Sequence, residues 1–312
     1  MYKREYVRMV AVLLMAAGLS VNGISARTAE NSVSAELRNS VSAEPERNLS
    51  VSDETEDAKA FAAADWGWKD LGKGAQAGYA QLRLFDSQQS ISVVRYRASK
   101  FRTYIANDPG KDAAATSVIA QRYGALIAIN GSYFDGGHNP VTYVKDDGVQ
   151  EGRIQGSSVR LCVDGLVGIR RGHKVRIALS DSLSYDKTSR GCKEVMAAGN
   201  VLLQDGVSQV AGGTWTKSFQ LKRHPRSVMG TTSDGWVYMI VIDGRFPEAA
   251  GATMEEAAQI ALMFGLKDAI NLDGGGSSTL WTASLGVLNH PSDNRKFDHE
   301  GQRKVPNIIY VK

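Results

Sequence analysis

The stretch Asn271-Leu272-Asp273-Gly274-Gly275-Gly276-Ser277-Ser278 gathers a carboxylate, two hydroxyls, an amide and three bare backbone positions within eight residues. Three successive glycines are costly to order, because glycine loses more conformational freedom on folding than any other residue. Such a stretch serves positive φ angles, close approach of a ligand, or a nest of amide N–H groups facing an anion. A plain glycine turn is the alternative. Asp273 favours a functional reading, since a carboxylate where a buried strand breaks into a loop is a common placement for catalysis or ligand binding.

Two further clusters carry similar chemistry. His224-Pro225-Arg226 enters one apolar run and Asp243-Gly244-Arg245 leaves the next. Arginine holds phosphate or carboxylate through paired hydrogen bonds, although either arginine taken singly also fits a surface strand end. In Asn130-Gly131-Ser132-Tyr133-Phe134-Asp135, Asn130 either orients a ligand hydroxyl or satisfies a turn. A serine hydrolase built on Ser277 or Ser278 fits poorly, because the chain lacks the Gly-x-Ser-x-Gly elbow. Asp135, Asp243, Asp273 and Asp293 offer oxygen ligands for calcium or magnesium, but no spacing specifies an ion. The sequence therefore names no cofactor.

Short β-type runs would position these clusters. Tyr79–Phe85, Ile91–Tyr96, Leu126–Ile129, Val159–Val163 and Lys174–Ala178 read as strands between turn residues. Ser227–Thr232 and Trp236–Asp243 flank Ser233-Asp234-Gly235 as a hairpin. Asp112–Tyr123 has an alanine-rich helical composition that stops at Gly124. Thr253 and Glu256 form a capping box ahead of a helix from about Met254 to Phe264, and Gly265 ends it. The buried strand Ala269–Leu272 then delivers the chain into Asp273. The expected fold class is α+β: one domain of mixed, largely antiparallel β-sheet with a few packed helices.

Hydrophobic residues at 43% and charged residues at 22% support a sizeable core. Lys3, Arg4 and Arg8 precede an apolar run from Met9 to Val21, and Ile24-Ser25-Ala26 offers a small-residue cleavage site. Residues 1–26 thus read as an export signal. The run is shorter than the roughly 20 apolar residues that span a bilayer, so no membrane span is expected after cleavage. Residues 27–57 repeat Asn31-Ser-Val-Ser-Ala-Glu36 as Asn39-Ser-Val-Ser-Ala-Glu44 and read as a disordered, low-complexity tether ahead of a domain over 58–312. The expected location is outside the cytoplasm, secreted, periplasmic or in the cell envelope.

The tether is acidic, so the folded part is more basic than the +4 of the whole chain. That balance suits an anionic partner as well as a merely soluble surface. Scattered basic residues and export both argue against nucleic acid. Cys162 and Cys192 either pair in an oxidising compartment or remain thiols. Nothing in the sequence sets the oligomeric state.

Taken in order, Asn130-Gly-x-Tyr-Phe134, Ala198-Gly-x-x-Leu202 with Asp205-Gly206, His224-Pro-Arg226, Asp243-Gly-Arg245, Asn271 to Leu280, Pro291-Ser-Asp293 and Val305-Pro-Asn307 resemble the phosphodiester glycosidase family. The resemblance runs from about Tyr79 to Val311. It implies an exported hydrolase cleaving the bond between a sugar's anomeric carbon and a phosphodiester oxygen, with N-acetylglucosamine as a candidate sugar on a glycan or cell-envelope polymer. The carbohydrate phosphodiester would be its partner. Under that reading Asp273 and Asp243 form the carboxylate pair, one reacting and the other positioning. Arg226, Arg245 and the amides of Gly274, Gly275 and Gly276 hold phosphate. Asn130, Asn271, Ser277 and Ser278 contact the substrate, and His224 is either a general acid or a structural histidine. The alternative is a glycan-binding or cell-envelope structural protein that keeps the fold without turnover.

Overall fold

The computed structural model describes residues 55–153, 163–181, 183–210 and 217–312. The expected export signal, the tether up to residue 54, Cys162 and all but the last residue of the strand expected over Val159–Val163 lie outside the described residues. Among the described residues, no helix is long and apolar enough to cross a membrane.

The largest sheet has eight strands in the order β1 (Lys69–Gly72), β2 (Ala75–Leu84), β3 (Ser87–Arg97), β15 (Trp236–Ile242), β14 (Arg226–Thr231), β16 (Asp268–Asn271), β12 (Val201–Gln204) and β13 (Val207–Ser208). A second sheet orders β18 (Gly286–Val287), β17 (Leu280–Thr282), β6 (Ile127–Asn130), β20 (Asn307–Val311) and β4 (Thr103–Asn107). A third orders β10 (Lys174–Leu179), β9 (Gly165–Arg170), β11 (Cys192–Ala198), β7 (Val144–Asp146) and β8 (Val149–Gly152). A two-stranded ladder joins β5 (Ala114–Ala115) to β19 (Lys304–Val305). The helices are α1 (Glu56–Ala63), α2 (Thr116–Arg122), α3 (Tyr185–Thr188), α4 (Lys217–Leu221) and α5 (Met254–Met263). The fold is α+β, and the ladders described are antiparallel throughout.

The large sheet is covered on both faces, which is why β15 reads Val-Tyr-Met-Ile-Val-Ile without polar alternation. Val237, Met239 and Val241 join a core shared with Ile127, Ile129 and Ile309 of the second sheet. Tyr238, Ile240 and Ile242 face Met254, Ala258 and Ala261 of α5. Adjacent strand residues point to opposite faces, so a strand clad on both sides must be apolar at every position. Each fully buried valine or isoleucine contributes roughly 1.5–3 kcal/mol of transfer free energy.

Helix α5 begins as expected. The Thr253 hydroxyl accepts from Glu256 N–H at 3.1 Å, and the Glu256 carboxylate accepts from Thr253 N–H at 2.8 Å. The helix expected over Asp112–Tyr123 is shorter, because Ala114 and Ala115 pair with Val305 and Lys304 in the ladder. Alanine's modest helical preference gives way there to tertiary pairing, and α2 starts at Thr116.

Candidate active site

The polar clusters meet at one end of the large sheet. Arg226 opposes Ile242 on β15, and Val228 opposes Asn271 on β16. Arg226 on the middle strand therefore lies between the strand end that leads into Asp243 and the one that leads into Asp273. Neighbouring strands run about 4.8 Å apart, so the two carboxylate-bearing backbones are separated by roughly 10 Å. The chain enters from the second sheet at Asn130, whose Nδ2 donates to Asp273 O at 2.7 Å.

Asp273 is partly exposed at the mouth of the glycine loop. Burial pushes its carboxyl up to about 6, against the opposing pull of the Ser277 hydroxyl, Arg303, the Gly274 amide and Arg245. Desolvation disfavours the charged form, and the nearby cations and donors restore part of it. The carboxylate is thus mainly ionised at neutral pH, with Arg245 and Arg303 nearby. Arg303 is itself held by Asp293 through Nε at 2.8 Å and Nη2 at 2.6 Å.

The structure assigns the three glycines to close approach by the protein's own groups. A Cβ on Gly274 would come within 2.6 Å of Pro225 O, and one on Gly276 within 1.8 Å of Asp293 Oδ1. Gly275 sits at φ +65 with the Arg245 guanidinium against it. The Gly275 N–H donates to Pro225 O at 2.9 Å, and the Gly274 N–H is directed to the Asp273 carboxylate. The expected amide cradle for phosphate is therefore largely spent on internal bonds. Ser277 and Ser278, expected to contact substrate, are buried behind the loop.

Asp243 is 1% exposed and surrounded by donors. One oxygen accepts from Asn289 Nδ2 at 3.1 Å and His290 N–H at 2.9 Å. The other accepts from the Ser90 hydroxyl at 2.7 Å and lies 2.9 Å from His290 Nδ1. A carboxylate committed in this way is well placed to position other groups. The Asp273–Asp243 pairing thus becomes one carboxylate on a partly exposed residue and one buried carboxylate bonded to His290.

Several expected roles change for the same reason. Arg226 is fully buried, with Nε donating to Ala252 O at 2.9 Å and Nη2 to Phe219 O and Lys222 O at 2.8 and 3.1 Å. It ties α4 and the following turn to the sheet, and although burial lowers its pKa to about 10 it stays charged at neutral pH. Arg245 is exposed, at φ +73, and among the described residues donates to the Ser292 hydroxyl at 3.5 Å, so it is the better placed of the two to meet an anion. Asn130 is sealed from solvent, its Oδ1 accepting from the Ser227 hydroxyl at 2.7 Å and Thr279 N–H at 3.1 Å. Asn271 is sealed too, its Nδ2 donating to Gly199 O at 2.9 Å. Both amides bond the strand ends and loop around Asp273. Burial, together with Arg226, Arg245 and Lys222, lowers the pKa of His224. These surroundings disfavour its charged form.

Among the described residues, no group of three or more His, Cys, Asp or Glu side chains is placed to hold a metal ion. Asp135 caps its own turn by accepting from Gly137 and Asn139 N–H, both at 2.9 Å, Asp293 pairs with Arg303, and Asp243 holds His290. The four aspartates do not converge.

Asn289, His290, His299 and Arg303 stand outside the sequence motifs. Asn289 Oδ1 accepts from Leu280 N–H at 2.8 Å and its Nδ2 donates to Ser278 O at 3.0 Å, which pins the His290 segment to the glycine loop. The ring of His290 stacks on Phe297 at 3.7 Å and 9°, and on His299 at 4.6 Å and 30°. A histidine beside an asparagine and a proline, downstream of a glycine loop, was the available signal.

Residues 123–312 match the family model described as phosphodiester glycosidase. The fold is similar to the catalytic domain of zebrafish N-acetylglucosamine-1-phosphodiester alpha-N-acetylglucosaminidase, with a TM-score of 0.61 at 16% identity over 76% of this chain and 82% of that one. A protein from Synechocystis gives a TM-score of 0.60 at 15% identity, over 78% of this chain and 63% of that one. A protein from Burkholderia pseudomallei K96243, described as exported, gives 0.53 at 15% identity, over 72% and 74%. The SPbeta prophage-derived uncharacterized protein YomE of Bacillus subtilis is 36% identical over 90 residues, which are 29% of this chain and only 14% of that relative. The family match begins at the end of α2 and runs through Asn130, the arginine clusters, the glycine loop and the His290 segment to the last strand, and the chain belongs to the phosphodiester glycosidase family.

Proposed function

We propose that this protein is an exported hydrolase that cleaves a sugar-1-phosphodiester between the anomeric carbon and the bridging oxygen. The observation that carries the reading is the placement of Asp273, a partly exposed residue, ahead of a glycine loop against which the Arg245 and Arg303 guanidinium groups lie. Breaking a glycosyl bond builds positive charge at the anomeric carbon and negative charge on the departing phosphate. A fixed carboxylate and fixed guanidinium groups stabilise those two charges as they develop.

In this scheme Asp273 faces the cationic carbon and Arg245, supported by Arg303, receives the phosphate. Water adds to the carbon, the carbon–oxygen bond breaks, and its electron pair leaves with the phosphate monoester. The name of the zebrafish relative makes N-acetylglucosamine the first sugar to try. Export rests on the basic, apolar and small-residue pattern of the first 26 residues.

Turnover of an N-acetylglucosamine-1-phosphodiester carrying a chromogenic aryl group tests the reading. Wild-type protein should release phosphate monoester, and Asp273→Asn should lower kcat by a factor on the order of 10² to 10⁴. Near-normal turnover in the variant removes Asp273 from the mechanism. Saturable binding without product supports a glycan-binding role instead.

A further inference from the structure

We propose that His290 is the base of this reaction, taking a proton from the attacking water, while Asp243 is its positioning residue. The proposal rests on the hydrolase reading above and adds a catalytic group to it.

The argument begins with the tautomer. Asp243 Oδ2 lies 2.9 Å from His290 Nδ1; a carboxylate can only accept, so that contact favours the tautomer with the hydrogen on Nδ1, which leaves the lone pair on Nε2. Among the described residues Nε2 has no hydrogen-bond partner, whereas the Asp243 oxygens have four. The buried carboxylate holds the ring and stabilises the imidazolium once a proton arrives, a division of labour familiar from carboxylate–histidine pairs in hydrolases.

Geometry also limits what the ring can do. Stacking on Phe297 and His299 fixes its plane. The His290 side chain is 10% exposed and lines a cavity of about 330 Å³, shared with Lys69, Tyr79, Leu285, Leu288 and His299. That volume admits a water, and Asp273 and Arg245 are not among the residues that line it. His299 lines it as well, but its Nδ1 meets Asn289 O at 2.8 Å rather than a carboxylate. Asp298 is close enough to His299 to interact with its charge but makes no hydrogen bond to the ring, whereas the buried Asp243 is bonded to His290, so the structure selects His290.

The step balances without a further reactant. Nε2 takes one proton from water, the water oxygen bonds to the anomeric carbon, and the carbon–oxygen bond to phosphate breaks with its electron pair on the phosphate. Asn289 links the two halves of the site, since it bonds Asp243 and the Ser278 carbonyl of the loop that carries Asp273.

The test measures kcat and KM of the full chain on the aryl phosphodiester of N-acetylglucosamine. His290→Ala and His290→Asn should each lose kcat by a factor on the order of 10² to 10⁴ with KM within a few-fold of wild type. Added imidazole should restore part of the rate to His290→Ala and none to Asp273→Asn. Asp243→Asn should also lose kcat, since the amide can donate to Nδ1 and favour the wrong tautomer. Wild-type kcat in His290→Asn, or a loss confined to KM, overturns the role of His290 while the hydrolase reading stands. A wild-type protein that turns over no sugar phosphodiester overturns both.

Discussion

The Arg245 guanidinium rests on the backbone of Gly275, with Nη2 only 2.9 Å from where a Cβ would stand, and both residues have positive φ, +73 and +65. Two left-handed residues from different strand ends are thus pressed together. Glycine is free to adopt that conformation, and an arginine in it is uncommon.

Gly275→Ala should therefore act in two ways. A left-handed alanine costs roughly 1–2 kcal/mol, which a urea melt reads as a lower midpoint. The new methyl also pushes Arg245 from its place, so KM for the phosphodiester should rise more than kcat falls. Unchanged KM would separate Arg245 from phosphate binding.

Activity should follow the ionisation of Asp273, whose carboxyl is raised to about 6. In the acidic limb of the pH–rate profile, kcat should climb through about pH 6 and then level. For stability the sign is opposite. A carboxyl that binds its proton more tightly when folded favours the fold at low pH, and that contribution is lost as pH rises from about 4 to 6. Asp273→Asn should flatten the fall, and Tm measured across that range checks it.

Glu194 offers the same logic away from the site. It is buried, its carboxylate accepts from Ile105 N–H at 2.5 Å, and burial is the leading cause raising its pKa to about 7. Glu194→Gln keeps an acceptor for Ile105 and removes the charge. Its Tm should exceed wild type at pH 8 and match it near pH 4, because the native glutamic acid is neutral there. Equal Tm shifts at both pH values would contradict the account.

Arg226→Met should destabilise more than it perturbs chemistry. The arginine donates to three backbone carbonyls from a fully buried position, and hydrogen bonds from a charged group are worth about 1.5–3 kcal/mol each before the relaxation of their partners. A loss of several kcal/mol by denaturant melt is expected. Full stability with abolished phosphate binding would return Arg226 to the role read from its motif.

Much of the frame was legible in the sequence. The apolar run of β15, the hairpin to β14 and the Thr253–Glu256 box depend on neighbours within a few residues, where periodicity and capping act. The arrival of a strand at Asp273 and the cost of three glycines were visible for the same reason. The helix expected from Asp112 failed at Ala114 because a strand from the far end of the chain claims those residues.

What occupies the space above the glycines, and what Asp243 holds, only the tertiary structure decided. Gly276 is bare because Asp293 and Arg303 pair against it, and Asp243 serves His290 across 47 residues of chain. Residue type announces that a carboxylate or glycine has a task. Partners so distant in sequence leave no local periodicity, so the task itself is fixed by the packing of the strand ends and the segment that folds over them.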